Sequence, residues 1–115
     1  MDKLIQYRQY VQQLLKKYAS YHTSHPPRGE DMAVETIFDT EHDHYQVVYV
    51  GWEDDQRIHG CSMHVDLKQG KIWIQHNGTE ASLANELVAM GVPKSDIVLG
   101  LLSPRQRQLT EFAVC

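Results

Sequence analysis

Apolar side chains recur every three or four residues along the first part of the chain. The positions in this series are Leu4, Ile5, Tyr7, Val11, Leu14, Leu15, Tyr18 and Tyr21. Because this spacing follows the turn of an α-helix, it predicts a helix over residues 2–22 with one apolar face. A helix lying on a sheet is favoured over a short coiled coil, since a coiled coil needs roughly three to four heptads. The segment HPPRG at 25–29 predicts a loop after the helix.

The pattern changes to short β-rich segments from about Val34 onward. Four strands are predicted, at residues 34–38, 45–52, 57–67 and 71–76. The connection at 53–56 is a short turn, and so is Gln69-Gly70, in which Gly70 can adopt positive φ. Because such short connections join antiparallel neighbours, the sequence predicts a four-stranded antiparallel meander.

The two turns also predict which side chains share a face of the sheet. The first turn pairs Trp52 with Arg57, and the second pairs Leu67 with Ile72. The face predicted to pack against the helices carries Val48, Val50, Trp52, Cys61, Met63, Val65, Leu67, Ile72 and Ile74. The opposite face carries Tyr45, Val47, Tyr49, Ile58 and Trp73 among polar residues that include Gln75. An aromatic group rimmed by polar residues indicates a homodimer or partner interface, and the alternative is that a helix of the same chain covers it.

Two further helical segments are predicted after the sheet. The first has Asn77 or Thr79 as its N-cap, carries apolar side chains over 83–90 and ends at Gly91. The second begins at Ser103, a predicted N-cap that is followed by Pro104 at the first helical position. Both segments lie on the C-terminal side of the predicted meander.

These elements define an α+β fold class, with an N-terminal helix, a four-stranded antiparallel meander and one or two C-terminal helices packed on one face. Because a typical domain has about 100–150 residues, the 115-residue chain is expected to form a single domain over 1–115. No apolar run approaches the roughly 20 residues of a membrane span, and the N-terminus lacks the apolar core of a signal peptide. Two isolated cysteines, Cys61 and Cys115, predict a reduced, cytoplasmic protein.

The formal net charge of −4 is unevenly distributed along the chain. Residues 30–55 contain nine acidic residues and no Lys or Arg, whereas the remaining residues contain six acidic residues and all eleven basic ones. This asymmetry argues against a protein that grips DNA with its whole surface, because phosphate neutralisation dominates such binding. It favours either an acidic edge presented to a basic partner or a solvated hairpin rim that happens to be acidic.

The segment His42-Asp43-His44 is the first candidate for metal chemistry. Two histidines separated by one residue share a face of a strand, but a metal site needs a third converging ligand. In the predicted register His44 lies on the core face opposite Val65, whereas His64 and Asp66 point to the other face. We therefore predict no metal site at this segment.

Other catalytic chemistry receives no support from motifs. Cys61 falls within an apolar set, which is typical of an inert structural cysteine, and no GxSxG or glycine-rich phosphate loop is present. We therefore predict no catalytic residue, no cofactor and no small-molecule substrate. Direct nucleic-acid contact is left open as an alternative, with Arg105 and Arg107 as its candidate residues together with the bases of the first helix.

Several longer motifs in combination resemble one protein family over nearly the whole chain. These motifs are MDKLIQYRQYVQQLLKKYA, IFDTEHDHYQVVYVGW, GCSMHVDLKQGKIWIQHNGTE and ELVAMGVPKSDIVLGLLSPRQRQLTEFAV. They resemble the XisI family, the fdxN-element excision controlling factors. Asp43, His44 and Tyr45 match the family pattern, whereas His42 departs from it. The resemblance carries no catalytic residue across.

The resemblance implies a cyanobacterial regulatory protein that controls excision of a DNA element by a site-specific recombinase. It also implies a nuclease-like companion, the XisH protein. We expect a homodimer that docks its acidic segment, residues 30–55, onto a basic surface of that companion. The candidate partner interface comprises Glu53, Asp54, Asp55, Tyr45, Tyr49, Trp73 and Gln75. The alternatives are a dimeric DNA-binding accessory factor using Arg105 and Arg107 and, least favoured, a metal-dependent nuclease.

Overall fold

The computed structural model describes residues 2–24, 32–79 and 81–115, without the side chains of residues 22–24. The elements in chain order are α1 (Lys3–Ser24), β1 (Met32–Asp39), β2 (His44–Glu53), β3 (Gln56–Lys68), β4 (Lys71–Asn77), α2 (Leu83–Ala89), a 3-10 turn (Lys94–Asp96), β5 (Ile97–Val98) and α3 (Pro104–Arg107). The predicted loop at 25–29 and two acidic residues of the 30–55 segment, Glu30 and Asp31, lie outside the described residues.

The predicted N-terminal helix is confirmed as α1, which buries one face against the sheet. Tyr7, Val11, Leu14 and Leu15 are buried in the main core, and the exposed Tyr21 marks the end of this apolar face. Polar contacts also join α1 to the rest of the chain, because the hydroxyl groups of two of its tyrosines donate to acidic side chains elsewhere. None of the helices in the described ranges is both long and apolar enough to cross a membrane.

The sheet has five strands in the order β1-β2-β3-β4-β5, so the predicted four-stranded antiparallel sheet is wrong. The antiparallel meander of β1 to β4 is present, but Ile97 and Val98 pair in parallel with Ile72 and Trp73 of β4. The chain reaches β5 by a crossover that contains α2, and such a connection allows parallel pairing that a tight hairpin does not. The sheet is therefore mixed, and the fold remains α+β.

Two β-bulges change the register in the middle of the sheet. At the hairpin ends the predicted pairs Trp52 with Arg57 and Leu67 with Ile72 are confirmed. Between them Ser62 is an extra residue in β3, since its neighbours on either side pair with successive residues of β2. The Ser62 hydroxyl donates to the Val47 carbonyl of β2 at 3.2 Å, and the backbone carbonyl of Ser62 accepts from the amide of Gly78 at 2.8 Å. These hydrogen bonds hold the bulge in place.

The bulge at Ser62 inverts half of the predicted face assignment, because one extra residue exchanges the two faces of a strand. Tyr45 and Val47 are 0% exposed and lie in the core with Met63. The sequence instead predicted that Tyr45 and Val47 lie on the opposite face. The face of the sheet directed away from α1, hereafter the outer face, instead carries Val48, Val50, Trp52 and Cys61.

The C-terminal helices were predicted with partial success. The N-cap of α2 is Ser82, whose side chain accepts from the Asn85 amide, so the predicted N-cap at Asn77 or Thr79 is wrong. Gly91 ends this helix with φ of 108°, as predicted, since glycine tolerates a left-handed conformation. The predicted cap of α3 is confirmed, with Ser103 and Gln106 forming a capping box.

Candidate functional site

Three side chains of metal-binding types converge on the outer face. Beyond the Ser62 bulge, His44 of β2 lies directly opposite Asp66 of β3. His64 precedes Asp66 by two residues, so it projects from the same face of the same strand. Without the bulge His44 would lie opposite Val65, as the sequence predicted, and its side chain would point into the core. The geometric reason for rejecting a metal site is therefore wrong.

Asp66 is the centre of this cluster. His44 Nδ1 and His64 Nε2 each lie 2.8 Å from Asp66 Oδ1, and Gln75 Nε2 donates to Asp66 Oδ2 at 3.2 Å. Side-chain exposure decreases from 57% for His44 to 29% for His64 and 12% for Asp66. The carboxylate is thus held at the bottom of the cluster, and the imidazole of His44 lies at its rim.

A second bulge positions the amide that orients Asp66. In β4 Gln75 is an extra residue, because His64 pairs with His76 while Val65 pairs with Ile74. The amide side chain of Gln75 reaches Asp66 from this irregular position. The carboxylate therefore has hydrogen-bonding partners on both oxygens, as a buried charged group requires.

The electrostatics of the cluster favour an ionised Asp66. Burial alone would raise the pKa of Asp66, but the hydrogen bonds from His44, His64 and Gln75 outweigh burial and hold the pKa below its usual range. The hydrogen bond to Asp66 and the attraction of its negative charge raise the pKa of His44 above its usual value. Because an ionised carboxylate only accepts hydrogen bonds, both facing ring nitrogens are assigned as N–H donors.

The acidic hairpin turn, Glu53-Asp54-Asp55, lies at the opposite end of β2. All three side chains are exposed, and Asp54 and Asp55 form the two-residue connection between β2, which ends at Glu53, and β3. Asp54 has φ of 54°, a left-handed conformation in which Asp and Asn are better tolerated than most residues. Trp52, which the sequence assigned to the core, is 48% exposed beside this turn, and the Arg57 guanidinium lies 5.2 Å from its ring centroid.

The aromatic members of the predicted partner interface are less accessible than the acidic ones. Tyr45 is buried, and its hydroxyl donates to Asp43 at 2.9 Å. Trp73 lies on the outer face as predicted, but it is 7% exposed because the cationic groups of Lys68 and Arg107 cover its ring at 4.5 and 5.2 Å. Tyr49 is half-buried, with its ring against the backbone of residue 60, and Gln75 belongs to the Asp66 cluster.

The two arginines proposed for nucleic-acid contact differ in environment. Arg105 is exposed at the first turn of α3. Arg107 is directed inward, where Nε donates to the carbonyl oxygens of Leu99 and Leu102 at 3.3 and 3.0 Å. Its guanidinium also covers Trp73, so Arg107 holds the C-terminal segment against the sheet.

Basic side chains of α1 are similarly engaged with acidic groups. Arg8 donates to both carboxylate oxygens of Asp43 at 2.8 and 3.1 Å. Hydrogen bonding to Arg8, which outweighs burial, holds the pKa of Asp43 below its usual range. Lys3 pairs with Asp96 at 3.3 Å, and Lys17 pairs with Glu86 of α2 at 3.0 Å.

Sequence reasoning missed His64 and Asp66 as members of a site. The segment His64-Val65-Asp66 does carry a usable signal, because two polar ligands separated by one residue share a face of a strand. The position of the third member, His44, opposite Asp66 depends on the bulge at Ser62. The sequence of the strands contains no local signal for that bulge. One donor atom from each of the three side chains lies within 4.8 Å of the others.

Comparisons with known proteins agree on one family. A family model described as XisI protein matches residues 1–114. The crystal structure of a XisI-like protein from Anabaena variabilis ATCC 29413 is similar with a TM-score of 0.88 and 46% identity, covering 97% of this chain and 99% of that one. The fdxN element excision controlling factor XisI from the same organism has a TM-score of 0.84 and 34% identity, covering 99% of this chain and 100% of that one. No curated protein matches the chain.

Proposed function

Since the chain belongs to the XisI family, we propose that it is a non-enzymatic factor that controls excision of a DNA element. In this proposal the chain acts through protein–protein contact with a nuclease-like companion of the XisH type, in the cytoplasm. The observation that carries the proposal is the exposed acidic hairpin turn Glu53-Asp54-Asp55. The excision step itself belongs to a recombinase.

The acidic hairpin turn supports contact with a basic protein surface. A nuclease-like companion needs a basic surface to hold its nucleic acid, because phosphate neutralisation dominates such binding. Exposed carboxylates at the tip of a hairpin can occupy such a surface, steer the encounter and exclude the nucleic acid. The adjacent exposed ring of Trp52 adds an aromatic group of the kind that is enriched at interfaces.

Charge reversal of the turn tests the proposal. The variant combines Glu53→Lys, Asp54→Asn and Asp55→Lys, in which Asn is chosen because it tolerates the positive φ of Asp54. We expect binding to the co-expressed companion to weaken at least tenfold at low salt, measured by calorimetry on the purified proteins. The control combines Glu35→Lys and Glu41→Lys, two exposed positions away from the turn, and it changes the net charge nearly as much as the turn variant does.

The control separates a local contact from a general charge effect. Equal losses of affinity in the two variants would show that binding depends on net charge rather than on the turn. Unchanged affinity in the turn variant would refute docking through the turn. Absence of any association between the wild-type chain and the companion would refute the proposed partner.

A dimeric DNA-binding accessory factor is the second candidate, supported by the exposed Arg105. The inward-directed Arg107 and the ion pairs made by α1 provide less support for it. A gel shift of duplex DNA with the purified chain alone at two salt concentrations tests this candidate, because phosphate contacts give strongly salt-dependent affinity.

Light scattering over a range of protein concentrations tests the proposed homodimer, for which the exposed Ile37 and Trp52 of the outer face offer apolar area.

A further inference from the structure

The geometry points to a divalent metal site, best suited to Zn²⁺, formed by His44, His64 and Asp66 on the outer face of the sheet. Two imidazoles and one carboxylate are the ligand set of many zinc sites that keep a fourth position open. This assignment goes beyond the proposed control of excision, and either proposal can fail without the other.

The three donor atoms are already close to the arrangement that a zinc ion requires. Zinc bonds to His nitrogen at about 2.0–2.1 Å and to carboxylate oxygen at similar length, so neighbouring ligand atoms of a tetrahedral site lie roughly 3.3 Å apart. In the structure Asp66 Oδ1 lies 2.8 Å from each facing ring nitrogen, and all three donors lie within 4.8 Å of one another. Separating the hydrogen-bonded atoms by about 0.5 Å makes room for the ion in place of the two bridging protons.

The paired strands β2 and β3 keep the three ligand residues close together. Asp66 and His64 are fixed on the same face of β3, and His44 faces Asp66 across the strand pair. Gln75 holds the second carboxylate oxygen of Asp66, which is the outer-shell support that ligating carboxylates usually have. A purely structural role for the buried Asp66 requires hydrogen-bond partners, but it does not require two imidazoles on the same oxygen atom.

The exposure gradient leaves a direction of approach for the ion. Asp66 lies at the bottom of the cluster, and His44 is largely exposed at its rim. Asp39, which lies opposite His44 in the sheet, reinforces the attraction for a cation. The open fourth position therefore faces solvent, where a water molecule completes the coordination.

Calorimetric titration of zinc chloride into the untagged, chelator-treated full chain tests the site. We expect one zinc ion per chain, and a loss of affinity of at least tenfold in His44→Ala, His64→Ala and Asp66→Asn. The matched control is His59→Ala, because His59 is an exposed histidine of β3 outside the cluster, and it should keep wild-type affinity. Gln75→Ala removes only the outer-shell support, so its expected loss is about 10- to 100-fold.

Two further measurements distinguish the loss of a metal ligand from misfolding of the variant. His44 is exposed, so circular dichroism of metal-free His44→Ala is expected to match that of the wild type. Co²⁺ in place of zinc should give the intense visible absorption of a tetrahedral site in the wild type and lose it in the ligand variants. Failure of the wild type to bind zinc at micromolar concentration, or wild-type affinity in His44→Ala and His64→Ala, would overturn the assignment.

Discussion

Two adjacent valines of β2 test the bulged register directly. Val47 is 0% exposed in the core, whereas Val48 is half-buried on the outer face. We expect Val47→Ala to destabilise the protein much more than Val48→Ala. The regular register predicted from the sequence, in which Val48 faces the core and Val47 faces away from it, predicts the reverse order.

The magnitude follows from the buried groups that each substitution removes. Truncating Val47 deletes two buried methyl groups at about 0.8 kcal/mol each and leaves a partly collapsed cavity, so we expect a loss of about 2 kcal/mol in the free energy of unfolding. The same truncation at Val48 removes contacts that are already partly solvated, so we expect less than about 1 kcal/mol. The lower β-propensity of alanine affects both variants, and it largely cancels in the comparison.

Urea unfolding monitored by tryptophan fluorescence measures this difference. With a slope of about 1–3 kcal/mol per molar urea, a loss of 2 kcal/mol moves the midpoint by roughly 1 M. Trp73 is a suitable probe because it is buried in the folded state. If the urea slopes are equal and Val48→Ala loses as much free energy of unfolding as Val47→Ala or more, the bulged register is refuted. The convergence of His44, His64 and Asp66 would be refuted with it.

Three other substitutions test local features of the fold. Arg107→Ala should cost about 1–2 kcal/mol in urea unfolding, and Arg107→Lys should not restore it, because lysine lacks the planar group that bonds two carbonyls and stacks on a ring. Gly60→Ala places a Cβ 2.5 Å from the Tyr49 hydroxyl, so we expect a loss of about 1–2 kcal/mol that shrinks in a Tyr49→Ala background. Hydrogen bonding to Tyr18 lowers the pKa of Glu86 from 4.5, so its stabilising contribution is present above pH 4.5 and is lost as the pH falls through the lowered value. Acid unfolding of Glu86→Gln should therefore lack this part of the pH dependence, and a wild-type acid profile would contradict the assignment.

Local patterns in the sequence are sufficient for α1, for α3 and for the pairs nearest the two predicted hairpin turns. The apolar period of α1 and the Ser103-Pro104 start of α3 act within one or two turns, so a single sequence carries their signals. The pairs nearest each hairpin are also predictable, because a two-residue connection determines which residues face each other. These are the regions in which prediction and structure agree.

Long-range hydrogen bonds determine what the sequence pattern does not predict. The bulge at Ser62 is held by the amide of residue 78, which lies beyond the next strand, so no local rule marks Ser62 as unpaired. Strand β5 has only two residues and is ordered by parallel pairing with β4 and by the Ala113 amide, which donates to the Ile97 carbonyl. Both features depend on contacts between distant segments, which hydrophobic periodicity does not encode.

The two proposed surfaces lie far enough apart to be tested separately. Strand β2 runs from His44 at the candidate metal site to Glu53 at the acidic hairpin turn, a distance of roughly 30 Å at about 3.3 Å per residue. Electrostatic coupling across that distance is weak, because it exceeds the roughly 8–10 Å screening length at physiological salt. Charge reversal at the turn should therefore leave zinc affinity unchanged, and His44→Ala should leave binding to the companion unchanged. If His44→Ala also abolished companion binding, the partner would contact the metal end of the outer face, and the acidic turn would lose its place as the docking site.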